Sequence, residues 1–208
     1  TDTANCSNRN LACIPDNYPD ALIVDLSRNN ITQIDPDDFQ GNLTKVVELI
    51  LDYNNITDVN PLLRSSAMDR LQRLSVRHNS IARLGRSCQL SSLRVFLIDY
   101  NMLTFLDHFT DCSDLQKFSA TFNQISYLAS GIFLRQTSIL SHVDLRFNLL
   151  NNLNVRYIYH SDFFPNNFLV DNNNISDVSI HRQRNSIPGV FSISHNNLQS
   201  LQMYFAPT

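Results

Sequence analysis

The chain of 208 residues has no tryptophan, only four glycines and four cysteines, and no uninterrupted apolar run longer than four residues. Runs that short exclude a membrane-spanning helix and a signal-peptide core within this stretch. Charge is scarce as well. With 17% charged residues and a net charge of −3, there is neither the basic footprint of a nucleic-acid binder nor an acidic solvating tail. So few glycines leave no phosphate-cradling loop and no GxSxG elbow, and the six histidines form no HExxH or other paired metal spacing. What is present in excess is asparagine and leucine, 25 and 27 residues against 8 alanines. With 43% hydrophobic residues the chain can bury a sizeable core in one or two domains, and the bias suggests that it does so by repetition.

Aligning the sequence with itself produces one template in eight copies, apolar at positions 1, 4, 6 and 11 and asparagine at position 9. The position-9 residues are Asn29, Asn54, Asn79, Asn101, Asn123, Asn148, Asn173 and Asn196. Position 4 holds Val24, Leu49, Leu74, Phe96, Phe118, Val143, Phe168 and Phe191, and position 6 holds Leu26, Leu51, Val76, Ile98, Ala120, Leu145, Val170 and Ile193. Position 11 runs from Ile31 to Leu198, and three residues further an apolar column runs from Ile34 to Leu201.

Positions 4 and 6 alternate with their neighbours at period two, so each copy starts with a short strand that is apolar on one face. One such strand cannot bury that face alone. Stacking at roughly 4.8 Å makes a parallel sheet, and eight strands span on the order of 35 Å. The position-9 amide sits where the chain leaves the strand and can bond backbone groups that the sheet leaves unpaired. The return segments are short and rich in Asn, Asp and Ser, so no regular helix is expected there; Phe39, Phe109, Phe133 and Phe163 or Phe164 are expected to fill the space behind the sheet.

This register resembles the leucine-rich-repeat pattern LxxLxLxxNxL. The resemblance implies an α/β-type solenoid, a right-handed horseshoe with about eight short parallel strands on the concave side and a mostly irregular convex side. It divides the chain into a cysteine-containing cap, residues 1–20, outside the template, and eight repeats over 21–208, the last one truncated with an exposed apolar edge. Residues 5–32, NCSNRNLACIPDNYPDALIVDLSRNNIT, resemble the cysteine-bearing N-terminal flank of animal extracellular leucine-rich-repeat proteins, with two cysteines where the fuller form has four.

Cys6, Cys13, Cys88 and Cys112 allow three pairings. Cys88 and Cys112 precede position 1 of consecutive repeats and so stack on adjacent coils, which favours a Cys88–Cys112 bond and leaves Cys6 with Cys13 in the cap. A cytosolic protein would instead bury Cys88 and Cys112 as free thiols. Sequons occur at Asn5, Asn30, Asn42, Asn55 and Asn174, three of them in phase at position 10. Together with the cap they favour a secreted or surface glycoprotein.

The concave face is the usual binding surface of such solenoids. Position 8 reads Arg28, Tyr53, His78, Tyr100, Phe122, Phe147, Asn172 and His195, and position 7 reads Ser27, Asp52, Arg77, Asp99, Thr121, Arg146, Asp171 and Ser194. Exposed aromatics beside charged residues mark protein-binding hot spots, so Tyr53, Arg77, His78, Tyr100, Phe122, Arg146 and Phe147 are the candidate ligand-binding residues. The competing reading is that the rings stack on one another as lining. Ile23, Ile50, Val95, Leu97 and Leu169 are expected to add outward apolar area. His142, Asp144 and Ser119 share the concave face, but a solvated sheet without an oxyanion pocket argues against catalysis. The cluster His181, Arg182 and Arg184 reads as a solvated loop before it reads as an anionic-glycan site.

The expected function is therefore non-enzymatic recognition without cofactor or metal. The partner is a protein ligand or co-receptor, with homo- or heterodimers among the candidates and no nucleic acid. The flank and repeat length resemble those of Toll-like receptors and related animal receptors, which implies a secreted or cell-surface location and an innate-immune or developmental role. The alternative is a matrix or adhesion protein that does not signal.

Overall fold

A computed structural model describes residues 2–15, 18, 20–35, 43–107, 112–129, 139–154, 165–182 and 189–205. Phe39, Phe109, Phe133, Phe163, Phe164, Asn42, His108, His160 and Arg184 lie outside that set. Nine three-residue strands, Thr3–Asn5, Ile23–Asp25, Glu48–Ile50, Arg73–Ser75, Val95–Leu97, Lys117–Ser119, His142–Asp144, Asn167–Leu169 and Val190–Ser192, pair in chain order as one parallel sheet. The register is constant: position 4 of each repeat faces position 4 of the next, as in Leu49 opposite Leu74 and Phe96 opposite Phe118. The ladder continues past the strands, since the position-6 and position-8 amides donate to the next repeat, for example Leu26 N–H to Ile50 O at 2.8 Å and Arg28 N–H to Asp52 O at 2.8 Å.

The core is the set of apolar columns. Leu49, Leu51, Ile56 and Val59 of one repeat and Leu74, Val76 and Ile81 of the next have no exposed surface. Phe96, Phe118 and Phe168 are fully buried at position 4, where they fill volume that the narrow return segments cannot. On the return side lie a one-turn helix, Asn60–Leu63, started by Pro61, and a 3-10 turn, Ser66–Met68. Two small parallel sheets also form there, Phe105–Leu106 with Tyr127–Leu128, and Asn152–Asn154, Asp177–Arg182 and Ser200–Phe205. Regular helix is thus confined to four residues among those described, as the polar return segments led us to expect.

The N-terminal stretch departs from expectation. Residues 1–20 were expected to lie outside the template, yet Thr3–Asn5 adds the ninth strand, with Ala4 opposite Val24. Cys6 takes the place of position 6, Asn8 that of position 8 with φ 56°, and Leu11 that of position 11. The ladder asparagine is missing, replaced by Arg9, and Thr1 stands at the apolar position 1 of the template. Sequence comparison missed this turn because Ala4 and Cys6 are weak apolar markers. The geometry reveals it, because the first true ladder residue needs a preceding coil to bond.

Cys88 and Cys112 form a disulfide with Cα atoms 5.3 Å apart. The expected Cys6–Cys13 bond is absent, and both residues are free thiols. Their backbone placement explains this. Cys6 is held at the sheet edge by its amide bond to Asp25 O and takes the Tyr18 hydroxyl on its sulfur at 3.5 Å, while Cys13 lies on the exposed return.

Candidate functional site

Each ladder asparagine spans two coils. Asn54 Oδ1 accepts the Ile31 amide of the preceding repeat at 3.0 Å, and its Nδ2 donates to Leu26 O at 3.0 Å, Leu51 O at 3.0 Å and Asp52 O at 3.4 Å. The same set recurs at Asn79, Asn101, Asn123, Asn148, Asn173 and Asn196. At Asn29 the cap supplies the partners: the Arg9 and Leu11 amides and the Cys6 carbonyl.

This turn dictates the backbone one residue earlier. All eight position-8 residues, Arg28, Tyr53, His78, Tyr100, Phe122, Phe147, Asn172 and His195, have positive φ between 51° and 58°. For a residue with a Cβ that costs roughly 1–2 kcal/mol, and Asn is among the few that tolerate it. Five rings occupy it nonetheless. They form one pile, with centroids 4.1 Å apart for Tyr53 and His78, 4.2 Å for His78 and Tyr100, 4.4 Å for Tyr100 and Phe122 and 4.2 Å for Phe122 and Phe147, all within 10° of parallel. The Arg28 guanidinium caps it, 4.8 Å from the Tyr53 ring centre. Ring faces are spent on one another while the edges of Tyr53, Tyr100, Phe122 and Phe147 stay exposed. The lining geometry and the exposure expected of a hot spot therefore coexist.

Next to the pile, the floor of the sheet is a buried polar network. Asp99 accepts the Ser119 hydroxyl, the Thr121 amide at 2.8 Å and the Thr121 hydroxyl at 2.9 Å on Oδ1, and Arg77 Nε at 2.9 Å on Oδ2. Asp52 accepts Ser75 Oγ and the Arg77 amide, and Asp171 accepts Ser192 Oγ and both the amide and the hydroxyl of Ser194. Asp144 holds Arg146 through both carboxylate oxygens, at 2.9 and 2.7 Å. Sequence reading missed this network although its signal was there. Every position-7 aspartate is followed by serine at position 5 of the next repeat, Asp52 with Ser75, Asp99 with Ser119 and Asp171 with Ser192.

The network sets the charges. Burial opposes the Asp171 carboxylate, but the donors from Ser192 and Ser194 and the Arg146 charge outweigh it and hold its pKa below the ordinary carboxylate range. The hydrogen bond to Asp144 keeps Arg146 firmly protonated. Burial, followed by the neighbouring Lys117, pushes His142 below the usual imidazole range. Ser119, Asp144 and His142 are not assembled for catalysis, because Ser119 donates to Asp99 and Asp144 is taken by Arg146. Leu97, expected to point outward, is buried, whereas Ile23, Ile50, Val95 and Leu169 are half-buried. Among the described residues no cluster of His, Cys, Asp and Glu is placed to hold a metal.

The sequon residues Asn5, Asn30, Asn55 and Asn174 are exposed. Asn30, Asn55 and Asn174 stand at position 10, on the edge of the solenoid beyond the ring pile.

A leucine-rich-repeat family matches the chain over residues 22–81. No curated protein matches it. Among the solved structures it resembles are human 5T4 (Wnt-activated inhibitory factor 1, trophoblast glycoprotein) and YopM, a leucine-rich effector protein from Yersinia pestis. Human 5T4 is 17% identical, over 73% of this chain and 78% of that one, with a TM-score of 0.44. YopM is 18% identical, over 96% of this chain and 68% of that one, with a TM-score of 0.49. Proteins built from leucine-rich repeats generally act in protein–protein recognition, and the fold of this chain is a solenoid of that kind, with the repeat register running from Ile23 to Leu201.

Proposed function

We propose that this chain is the non-enzymatic ligand- or co-receptor-binding part of a secreted or cell-surface leucine-rich-repeat receptor, with the open face of the sheet as its binding surface. The observation that carries this reading is the ring pile from Tyr53 to Phe147, half exposed in a strained backbone conformation and lying beside Arg77 and Arg146. Aromatic and arginine anchors dominate protein-binding hot spots. The Cys88–Cys112 bond and the exposed sequon residues Asn5, Asn30, Asn55 and Asn174 support an oxidising, glycosylating compartment. Within that reading an innate-immune receptor of the Toll-like kind is our preferred parent, and a matrix or adhesion protein is the second reading.

The test is affinity capture from cell-surface and secreted proteins of the source tissue, using the glycosylated chain and a Tyr100→Asn, Phe122→Asn double variant. Asparagine suits the left-handed turn, so the variant keeps the backbone and loses the rings. A partner held by the wild type and released at least tenfold faster by the variant supports the reading. Equal retention by both removes the pile from the binding surface.

A further inference from the structure

The open face changes sign along the solenoid. In repeats one and two its positions 3, 5 and 7 carry Asp25, Glu48 and Asp52 and no cation, whereas in repeats three to six they carry Arg73, Arg77, Lys117 and Arg146 against Asp99 and Asp144. The boundary is the Glu48–Arg73 pair at 2.9 Å. Position 3 runs Glu48, Arg73, Val95, Lys117, His142 and Asn167 as direct cross-strand neighbours.

Within repeats three to six every side-chain oxygen at these positions is buried. Asp99 takes four donors, and Asp144 holds Arg146 through both oxygens. Ser75, Ser119 and Thr121 each spend the hydroxyl on an aspartate. The cations are left outside. Arg77 and Arg146 keep 39% and 41% of their side chains exposed. Arg77 commits only Nε, and Arg146 commits Nε and one Nη, so each guanidinium retains unused N–H donors. Lys117 is exposed and its ammonium has no partner among the described residues.

We propose that the partner engages this window through an acidic, extended peptide segment. The inference rests on the ligand-binding reading of the open face and names the chemistry of what binds there. A partner approaching repeats three to six meets spare donors over saturated oxygens. Only acceptor groups gain hydrogen bonds on such a surface, and carboxylates gain charge pairing as well.

Spacing and charge density favour a peptide. Arg77 and Arg146 lie three coils apart, ~14 Å at about 4.8 Å per coil, and positions 3 and 7 are ~13 Å apart along a strand. Separations that large suit a segment with about four residues between carboxylates, at ~3.3 Å per residue. A nucleic acid or sulfated glycan carries dense, regular charge that an unbroken basic stripe matches. Here Val95 interrupts the cations, two carboxylates lie beneath them, and the net charge of −3 gives the chain as a whole no attraction for a polyanion.

Fluorescence anisotropy with the full chain tests this, using a labelled peptide of about twelve residues that alternates Glu and Ser, long enough to cross the window. At about 20 mM NaCl it should bind at least tenfold tighter than the Gln–Ser peptide, and the gap should shrink at about 300 mM. Lys117→Glu should weaken binding at least tenfold and Lys117→Arg should retain it, both with an unchanged melting temperature. Arg83→Glu, the same charge change at an exposed position off the open face, should have little effect. Equal binding of the Glu and Gln peptides, or a Lys117→Glu chain that binds as the wild type does, overturns the proposal. So does a heparin oligosaccharide or single-stranded RNA that outcompetes the Glu peptide in the wild type and is released by Lys117→Glu. A captured partner released by the Tyr100→Asn, Phe122→Asn variant but held by Lys117→Glu leaves the open face as the binding surface and removes only its acidic ligand. A partner held equally by both removes the open-face reading itself.

Discussion

The rings of Tyr100 and Phe122 lie parallel with centroids 4.4 Å apart, and both residues have positive φ. The ladder forces the backbone into that conformation, and stacking at about 0.5–1.5 kcal/mol per pair offsets its cost. Asparagine and alanine should therefore behave differently at position 122. Phe122→Asn should lose less than about 2 kcal/mol of stability, and Phe122→Ala should be less stable than Phe122→Asn by a further ~0.5–1 kcal/mol. Urea denaturation of the pair measures this, and an alanine variant at least as stable as the asparagine one would show that the turn carries no strain.

Asn123 makes four side-chain hydrogen bonds to backbone groups of two repeats. Asn123→Ala leaves buried carbonyls and the Leu103 amide without partners, and should cost roughly 1–3 kcal/mol. Hydrogen exchange should speed most at Leu103, where the lost acceptor stood.

Asp171 links repeats seven and eight through Ser192 and Ser194. Its folded pKa lies below the ordinary carboxylate range. The ionised form thus stabilises the fold above that range, and the contribution disappears as pH falls through it toward the lower folded value. The wild type should lose melting temperature over that acidic window more steeply than Asp171→Asn, and parallel melting curves against pH would contradict the assignment.

The Cys88–Cys112 bond closes a segment of sequence separation 24. On chain-entropy grounds a loop of that size is worth about 3 kcal/mol. Cys88→Ala with Cys112→Ala should lower stability by about 2–4 kcal/mol, and the wild type under reducing conditions should behave the same way. An unchanged midpoint would mean that the two coils are ordered without the bond.

The sequence by itself determined the solenoid. A fixed apolar register with asparagine at the turn has one economical solution, because a short one-faced strand is buried only by a copy of itself. That sufficed to place the core, the ladder, the Cys88–Cys112 neighbours and the ring column. The tertiary structure decided what depends on contacts between coils. It drew Thr3–Asn5 into the sheet as a turn too degenerate to read, left Cys6 and Cys13 apart, and buried Leu97. It also turned Asp52, Asp99 and Asp171 into acceptors for the next repeat. The added strand and the aspartate contacts rest on partners some 20 to 25 residues away on a neighbouring coil, and a pattern read along one strand carries no trace of what the adjacent coil donates.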